Sequence, residues 1–467
     1  MRTHTFALNA VLLASPVLAQ VPSQEQAPID REAIVTKHLS PVIDAFEMPG
    51  AMVGLYHDGE LTFHAIGTLN FDIEQAPDES TIYEIGSIGK VFTGVFFADA
   101  IRRGEVTKHT KLQELVPEGT EVIKGSEGTE IELWHLTTHT SGWATVPFNL
   151  MPSDPDRPFS GYTEEMLYAA HADMPLNREP GTEFEYSNFA VGTLGTVLAR
   201  NAGGDYEALV QERILAPLGI DDFAIVLDEE QQSRLAPATN GGLTVKPWGD
   251  DNPLAPAGLW STTAPQLMGF AMANLKDADE QGDEVYESLT AAREVMFDSG
   301  FGKVGFGWMR AMDGSSYWHN GQTGGYSSYM GLNREYDAAV VLLANGATFY
   351  TTAAGEKIFQ ELLGLTPEPV QIDPPEQLEG AYTDRLLGTY NSEWGFAITI
   401  TSANGFIYAR VTNQGAYRVN KVGDDRFRYG AAIDAELQFE LPEDEGSALS
   451  VTLFQNGAEM KCVRVEE

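Results

Sequence analysis

In the stretch EIGSIGKVFTG, residues 84–94, a serine and a lysine stand three positions apart among glycines. On a helix, positions i and i+3 share one face, so the amine of Lys90 can reach back to the hydroxyl of Ser87. Serine is a poor nucleophile until a base takes its proton, and a lysine desolvated enough to lose its charge can be that base. No other lysine in the chain has a serine three positions before it. A helix beginning at Ser87 would also point backbone N–H groups at developing negative charge. The competing reading is a helix start built of small residues, without chemistry.

Two more stretches carry reactive types. TEFEYSNFAVGTLG offers a phenol at Tyr186 and an amide at Asn188, just before an apolar helix. Its plainer reading is a helix start capped by Ser187 or Asn188. YWHNGQTGGYSSYMGL places His319 and Gly321 on a strand that leads to a glycine-rich turn, and its plainer reading is a strand end. Ile85-Gly86-Ser87-Ile88-Gly89 nearly spells G-x-S-x-G, but Ile85 replaces the first glycine and no long series of alternating strands and helices surrounds it. His135 and His139, four apart, have the spacing of metal ligands; Leu136 stands where a zinc protease has glutamate, so both are expected to be structural. Neither a metal nor another cofactor is expected.

In this order and spacing, Ser87-x-x-Lys90, Tyr186-x-Asn188 and His319-x-Gly321 resemble the S-x-x-K, Y-x-N and K-T-G motifs of the serine β-lactamase and penicillin-binding-protein superfamily. The nearest branch is the class C-type group, which includes D-amino-acid peptidases and carboxylesterases as well as β-lactamases. ELWHLTTHTSG at 132–142, APAGLWSTT at 255–263 and QTGGYSSYMGL behind the third motif extend the likeness over about residues 31–363. Residues 380–467, particularly LLGTYN and LSVTLFQNGAEMKCVRV, are similar to the small lipocalin-like barrel appended to such hydrolases.

The resemblance implies that Ser87 attacks a carbonyl to form an acyl-enzyme, with Lys90 and Tyr186 sharing the proton transfers and either one acting as base. It implies that Asn188 holds Lys90 and a substrate amide or carbonyl, that His319 and Gly321 take the K-T-G positions, and that the backbone N–H groups of Ser87 and Gln322 form the oxyanion hole. The departure is His319. A lysine there is a permanent cation able to hold a carboxylate, whereas histidine near pH 7 is mostly neutral. Small esters or D-amino-acid peptides are therefore the favoured substrates. A true class C-type β-lactamase or D-alanyl-D-alanine carboxypeptidase is the alternative, and a non-catalytic scaffold is the alternative of another class. Retention of Ser87, Lys90, Tyr186 and Asn188 argues against the scaffold, because the fold does not require that combination.

The elements around these residues read as α+β: an antiparallel sheet with flanking helices and a helical part, followed by a small antiparallel β-barrel. AMVGLYHDGELTFHAIGTLNF at 51–71 alternates about Asp58-Gly59, the signal of a hairpin. Behind Lys90, apolar residues from Val91 to Ile101 recur at helical spacing and Arg102-Arg103-Gly104 closes the run. Helical patterns follow near 163–171, 187–200, 205–216 and 264–276, and strand-like runs at 305–311, 326–333 and 338–344. Strands at both ends with helices between predict that the terminal strands pair in one sheet. LTPEPVQIDPPEQL is rich in proline and reads as a linker over 365–379. Beyond it, short alternating segments broken by turns at Asn404-Gly405, Asp424-Asp425 and Asn456-Gly457 predict about eight strands.

The N-terminus, MRTHTFALNAVLLASPVLAQ, has an arginine, an apolar run and small residues at Val17 and Ala19, which predicts a signal peptide over 1–19 cleaved before Gln20. The hydrolase domain would then run from 20 to 364 and act in the periplasm or outside the cell. The plainer alternative is a buried N-terminal helix. No later segment is apolar for long enough to cross a bilayer. A single cysteine, Cys462, excludes an internal disulfide. With 68 acidic against 29 basic side chains the net charge is −39, so nucleic acid is an unsuitable partner. The expected partner is a small-molecule ester, peptide or β-lactam; a homo-oligomer stays open.

Overall fold

The computed structural model describes residues 29–154, 156–278, 282–300, 302–311, 314–378, 380–430 and 433–465. The expected signal peptide lies outside them. The hairpin strands Gly50–His57 and Glu60–Gly67 turn at Asp58 and Gly59, both with positive φ, where the two-residue connection requires it. Gly50–His57 then pairs antiparallel with Ala338–Ala344, Ala51 opposite Ala344, so the two ends of the domain close one sheet. That sheet has eight strands and continues through Ser327–Asn333 and Ser316–Gln322 to three short edge strands.

Side chains of the central strands alternate between two cores. Val53, Leu55, Val340 and Leu342 face helices Arg31–Asp44 and Tyr350–Leu362, whereas Met52, Val341 and Leu343 face helix Ala264–Ala273 and the larger core. The strand-like run at 305–311 is strand only at Met309–Arg310. Its first half turns at Gly307, with φ +76°, so that the Phe306 carbonyl packs against Gly94. The helical pattern at 205–216 is α-helix over Tyr206–Val210, then widens to a π turn and tightens to a 3-10 turn.

Helix Gly89–Arg102 is buried on every side from Gly89 to Ala100, as its all-round apolar sequence demands. Phe92 packs on Phe223, Trp260 and Phe270, and Phe97 on Phe306. The arginines after it do more than face the helix dipole. Asp99, itself buried, receives Arg102 at 2.8 Å and Arg103 at 2.7 Å.

Eight antiparallel strands from Gly388–Ser392 to Ala458–Arg464 close a barrel in sequence order. Asn404, Asp425 and Asn456 adopt positive φ at the predicted turns. The interior is filled by Tyr390, Ile398, Phe427, Phe439 and Leu453, with Leu386 inserted from the short helix Gly380–Leu386. Outward-facing residues of the barrel dock on the sheet domain. Tyr408 Oη donates to the Gly241 carbonyl at 2.8 Å, and buried Arg418 donates to the Phe46 carbonyl at 3.0 Å while pairing with Glu47.

Candidate active site

Ser87 lies in a 3-10 turn, Gly86–Ile88, that feeds the buried helix beginning at Gly89. The turn is pressed onto the strand Ser316–Gln322, and two glycines permit it. Gly86 has φ +52°, and a Cβ there would collide with the Gln322 backbone nitrogen; a Cβ on Gly321 would collide with the Ile85 carbonyl oxygen. Ser328 Oγ donates to that same carbonyl at 2.7 Å and pins the turn. The backbone at Gln322 is thereby held against the backbone at Ser87.

Lys90 is fully buried, and its Nζ lies 3.0 Å from Ser87 Oγ, donates to the Ala257 carbonyl and sits 4.9 Å from the centre of the Tyr186 ring. Burial pushes the amine well below the ordinary lysine range. No carboxylate is among the groups acting on it, so the neutral form is favoured and its lone pair is available to the serine proton. The Tyr186 phenol is driven the other way, above its usual value, by burial that the nearby Ser87 hydroxyl partly opposes. Tyr186 therefore stays protonated.

Ser187 caps helix Asn188–Ala202, its hydroxyl accepting from Ala190 N–H at 3.0 Å, and this cap sets Tyr186 and Asn188 at the helix entrance. The N–H of Asn188 donates to the Thr145 carbonyl at 2.8 Å. Ser87, Tyr186, Asn188, Gly321 and Gln322 all line one cavity, with Lys90 beneath its floor. His319 is not in the lining. Its side chain is 2 % exposed, Nδ1 donates to the Asn320 carbonyl at 2.6 Å, and Nε2 is buried without a hydrogen-bond partner among the described residues. Burial is the main cause that lowers its pKa to about 3, so the imidazole is neutral at physiological pH.

Three contributors were not assigned to the site from sequence, although His139 was noted there as structural. The Ala257 carbonyl holds Lys90, and its only signal was the segment APAGLWSTT. His139 stacks on Tyr186 with ring centres 4.4 Å apart, while its Nδ1 accepts Ser187 N–H at 3.1 Å. His139 adopts φ +59°, and His135 accepts Glu132 N–H at 3.0 Å within a capping box, so each of the two histidines braces local backbone. The barrel is the third contributor: its turn between strands Phe406–Val411 and Ala416–Gly423 supplies Asn413 and Gln414 to the cavity wall. Among nearby aromatics, Trp143, Tyr162, Trp260 and Tyr326 are core, and Phe148 is exposed.

Glu84, at the head of the motif, is 2 % exposed, and Oε1 accepts Gly249 N–H at 2.7 Å beside the cavity residue Trp248. Burial pushes this carboxyl up to about 7, against the opposing effects of Thr323, the Gly249 and Trp248 N–H groups and Arg157. The folded pKa is raised, so the folded state binds the extra proton. Its stabilising contribution is complete below the unfolded value of 4.5 and is lost as pH rises through about 7. From the size of the shift, the loss is about 3 kcal/mol. Glu84→Gln cannot ionise, and thermal melts between pH 5 and 8 should show a smaller fall for it than for the parent; parallel curves would contradict this.

The Beta-lactamase family model matches residues 35–364. A β-lactamase of Escherichia coli (strain K12) is 25% identical over 354 residues, covering 68% of this chain and 90% of the relative. Penicillin-binding protein 4 of Amycolatopsis lactamdurans is 26% identical over 368 residues, covering 74% of this chain and 94% of the relative. A solved class C β-lactamase mutant superposes with a TM-score of 0.63 at 20% identity over 72% of this chain and all of that one, a likeness of fold. With its family model spanning most of the sequence and a fold to match, the chain belongs to the beta-lactamase family, among the serine hydrolases that include β-lactamases and penicillin-binding proteins.

Proposed function

We propose that the protein hydrolyses small esters or amides, including D-amino-acid peptides, through an acyl-enzyme on Ser87. The observation that carries this is the fully buried Lys90 amine, its pKa lowered by burial, 3.0 Å from the Ser87 hydroxyl at the floor of a cavity. The Ser87 proton passes to Lys90 Nζ as Oγ bonds to the substrate carbonyl carbon. The carbonyl oxygen takes the negative charge and is held by the N–H groups of Ser87 and Gln322. When the bond to the leaving group breaks, the Tyr186 phenol gives that group its proton and is reprotonated from Lys90. Water then attacks the acyl carbon by the reverse route and frees Ser87. Asn188, on the cavity wall, orients the substrate amide or carbonyl. A fluorophosphonate or penicillin-type probe should leave one adduct, located on Ser87 by mass spectrometry; labelling at any other residue, or none, would sink this reading.

Esters are preferred over β-lactams because no cation stands at position 319 and the imidazole there is neutral and enclosed. The second reading, a true β-lactamase or D-alanyl-D-alanine carboxypeptidase, draws on the names of the relatives. The division into a hydrolase domain over 20–364, a linker over 365–379 and a barrel domain over 380–467 belongs to this proposal, as does export to the periplasm or beyond. No helix among the described residues is long and apolar enough to cross a membrane. Recovered exported protein should begin at Gln20, and a start at Met1 would refute cleavage.

A further inference from the structure

The cavity above Ser87 is much larger than the chemistry at its floor requires. It encloses about 690 Å³, within the range of pockets that enclose drug-sized ligands. Apolar surface dominates its walls: Leu150 and Phe159 from one loop, Leu243 and Trp248 from another, Phe349 from the sheet domain, and Tyr417 from the barrel. Charged residues reach the lining at Asp156, Lys246 and Arg410. These are spent on one another and on Asp154: Arg410 pairs with Asp156 at 3.4 Å, and Lys246 with Asp154 at 2.8 Å and with Asp156 at 3.8 Å. An anionic or cationic ligand would have to break this cluster to find a partner.

The apolar surface continues outward. Phe148 and Met151 are 54% and 71% exposed, and they alternate on the loop with Val146, Leu150 and Pro152, which line the cavity. Exposed apolar side chains next in sequence to a cavity wall offer further surface that a ligand can cover. An acetyl ester would occupy the floor and leave these walls in contact with water.

Resting on the acyl-enzyme reading above, we propose that the preferred substrates are uncharged esters with an extended apolar group of about six carbons or more, removed from water along these walls. The group runs from Ser87 towards the barrel turn at Asn413–Tyr417, so the barrel forms part of the specificity wall. Each methylene that reaches the wall in the transition state raises kcat/KM, by up to about fourfold.

The test uses the intact protein with p-nitrophenyl acetate, butyrate, hexanoate and octanoate below micelle-forming concentrations. Octanoate should exceed acetate in kcat/KM by at least about thirtyfold. Leu243 and Tyr417 are both half-buried in the cavity lining, one supplied by the sheet domain and one by the barrel, so Leu243→Asp and Tyr417→Ala change the part of the wall that each contributes. Each should lower the octanoate-to-acetate ratio by at least about fivefold. A flat or falling series with measurable acetate turnover overturns the substrate proposal and leaves the acyl-enzyme reading standing. No turnover of any ester, with Ser87 unlabelled by the probe, overturns both. A steep series that neither substitution alters places the apolar group elsewhere and overturns its assignment to this cavity.

Discussion

Ser87→Ala abolishes ester turnover, by a factor on the order of 10⁴ or more, while the protein remains folded; this is the largest effect expected of any single substitution. The change removes one hydroxyl from a residue that keeps some exposure to the cavity. Lys90 retains the Ala257 carbonyl, and burial favours its uncharged form, so removing the hydroxyl strands no buried charge. Stability should therefore shift by about 1 kcal/mol or less. Far-ultraviolet circular dichroism and melting, measured alongside turnover, separate loss of chemistry from loss of fold. Retained activity in a folded Ser87→Ala protein would remove the serine from its role.

Lys90→Met tests the partner of that serine. Methionine approximates the length and volume of the lysine stem in a fully buried site, so the helix should stay packed while the base disappears. Lys90→Arg is the harsher change, because guanidinium keeps its charge where no carboxylate meets it. The parent also has a pH signature. Its Lys90 is lowered relative to the unfolded chain, so the unfolded state binds the proton more readily. Stability should rise with pH from the folded pKa towards the ordinary lysine value of 10.5. On the same grounds turnover should fall on the acid side as Lys90 becomes charged, and Lys90→Met should lack the stability rise.

Short-chain p-nitrophenyl esters should be hydrolysed at least about 100-fold more efficiently than nitrocefin, the difference made by one absent charge-assisted hydrogen bond. A lysine at position 319 would present an ammonium to the carboxylate of a β-lactam. His319 presents none: burial lowers its pKa to about 3, its Nδ1–H is committed to the Asn320 carbonyl, and Nε2 carries only a lone pair. A carboxylate near that lone pair would be repelled. Esters need no such contact, and in the proposed mechanism their turnover depends on the serine, the amine and the two backbone N–H groups. Equal or reversed kcat/KM values for the two substrates would show that another group takes the part of the missing cation.

Short-range sequence signals exposed much of this architecture. The alternation about Asp58-Gly59, the all-round apolar helix behind Lys90 and the Asn-Gly turns of the barrel each carry their geometry within a few residues. Among the helices not read from the sequence, the two longest escaped notice for equally local reasons. Arg31–Asp44 contains Pro41 in its last turn, which ordinarily marks a break, and Tyr350–Leu362 contains Gly355, whose missing side chain makes room for the Tyr329 ring. Within the site, Ser87, Tyr186, Asn188, Gly321 and Gln322 could be named from their motifs. The enclosure of His319 and the stacking of His139 on Tyr186 could not, because both depend on what the fold brings from distant positions. The barrel's place in the cavity wall is of the same kind: the sequence of Asn413–Tyr417 reads as an ordinary hairpin, and its position over the cavity goes with Tyr408 docking on Gly241 and Arg418 on Phe46, far away in sequence.

Cys462, the only thiol in the chain, points into the filled barrel with no exposure to solvent, and burial raises its pKa above the ordinary thiol value. A thiol reagent added to native protein can therefore react only during excursions that open the barrel. The rate of modification becomes a clock for breathing of that module, read on unmutated protein.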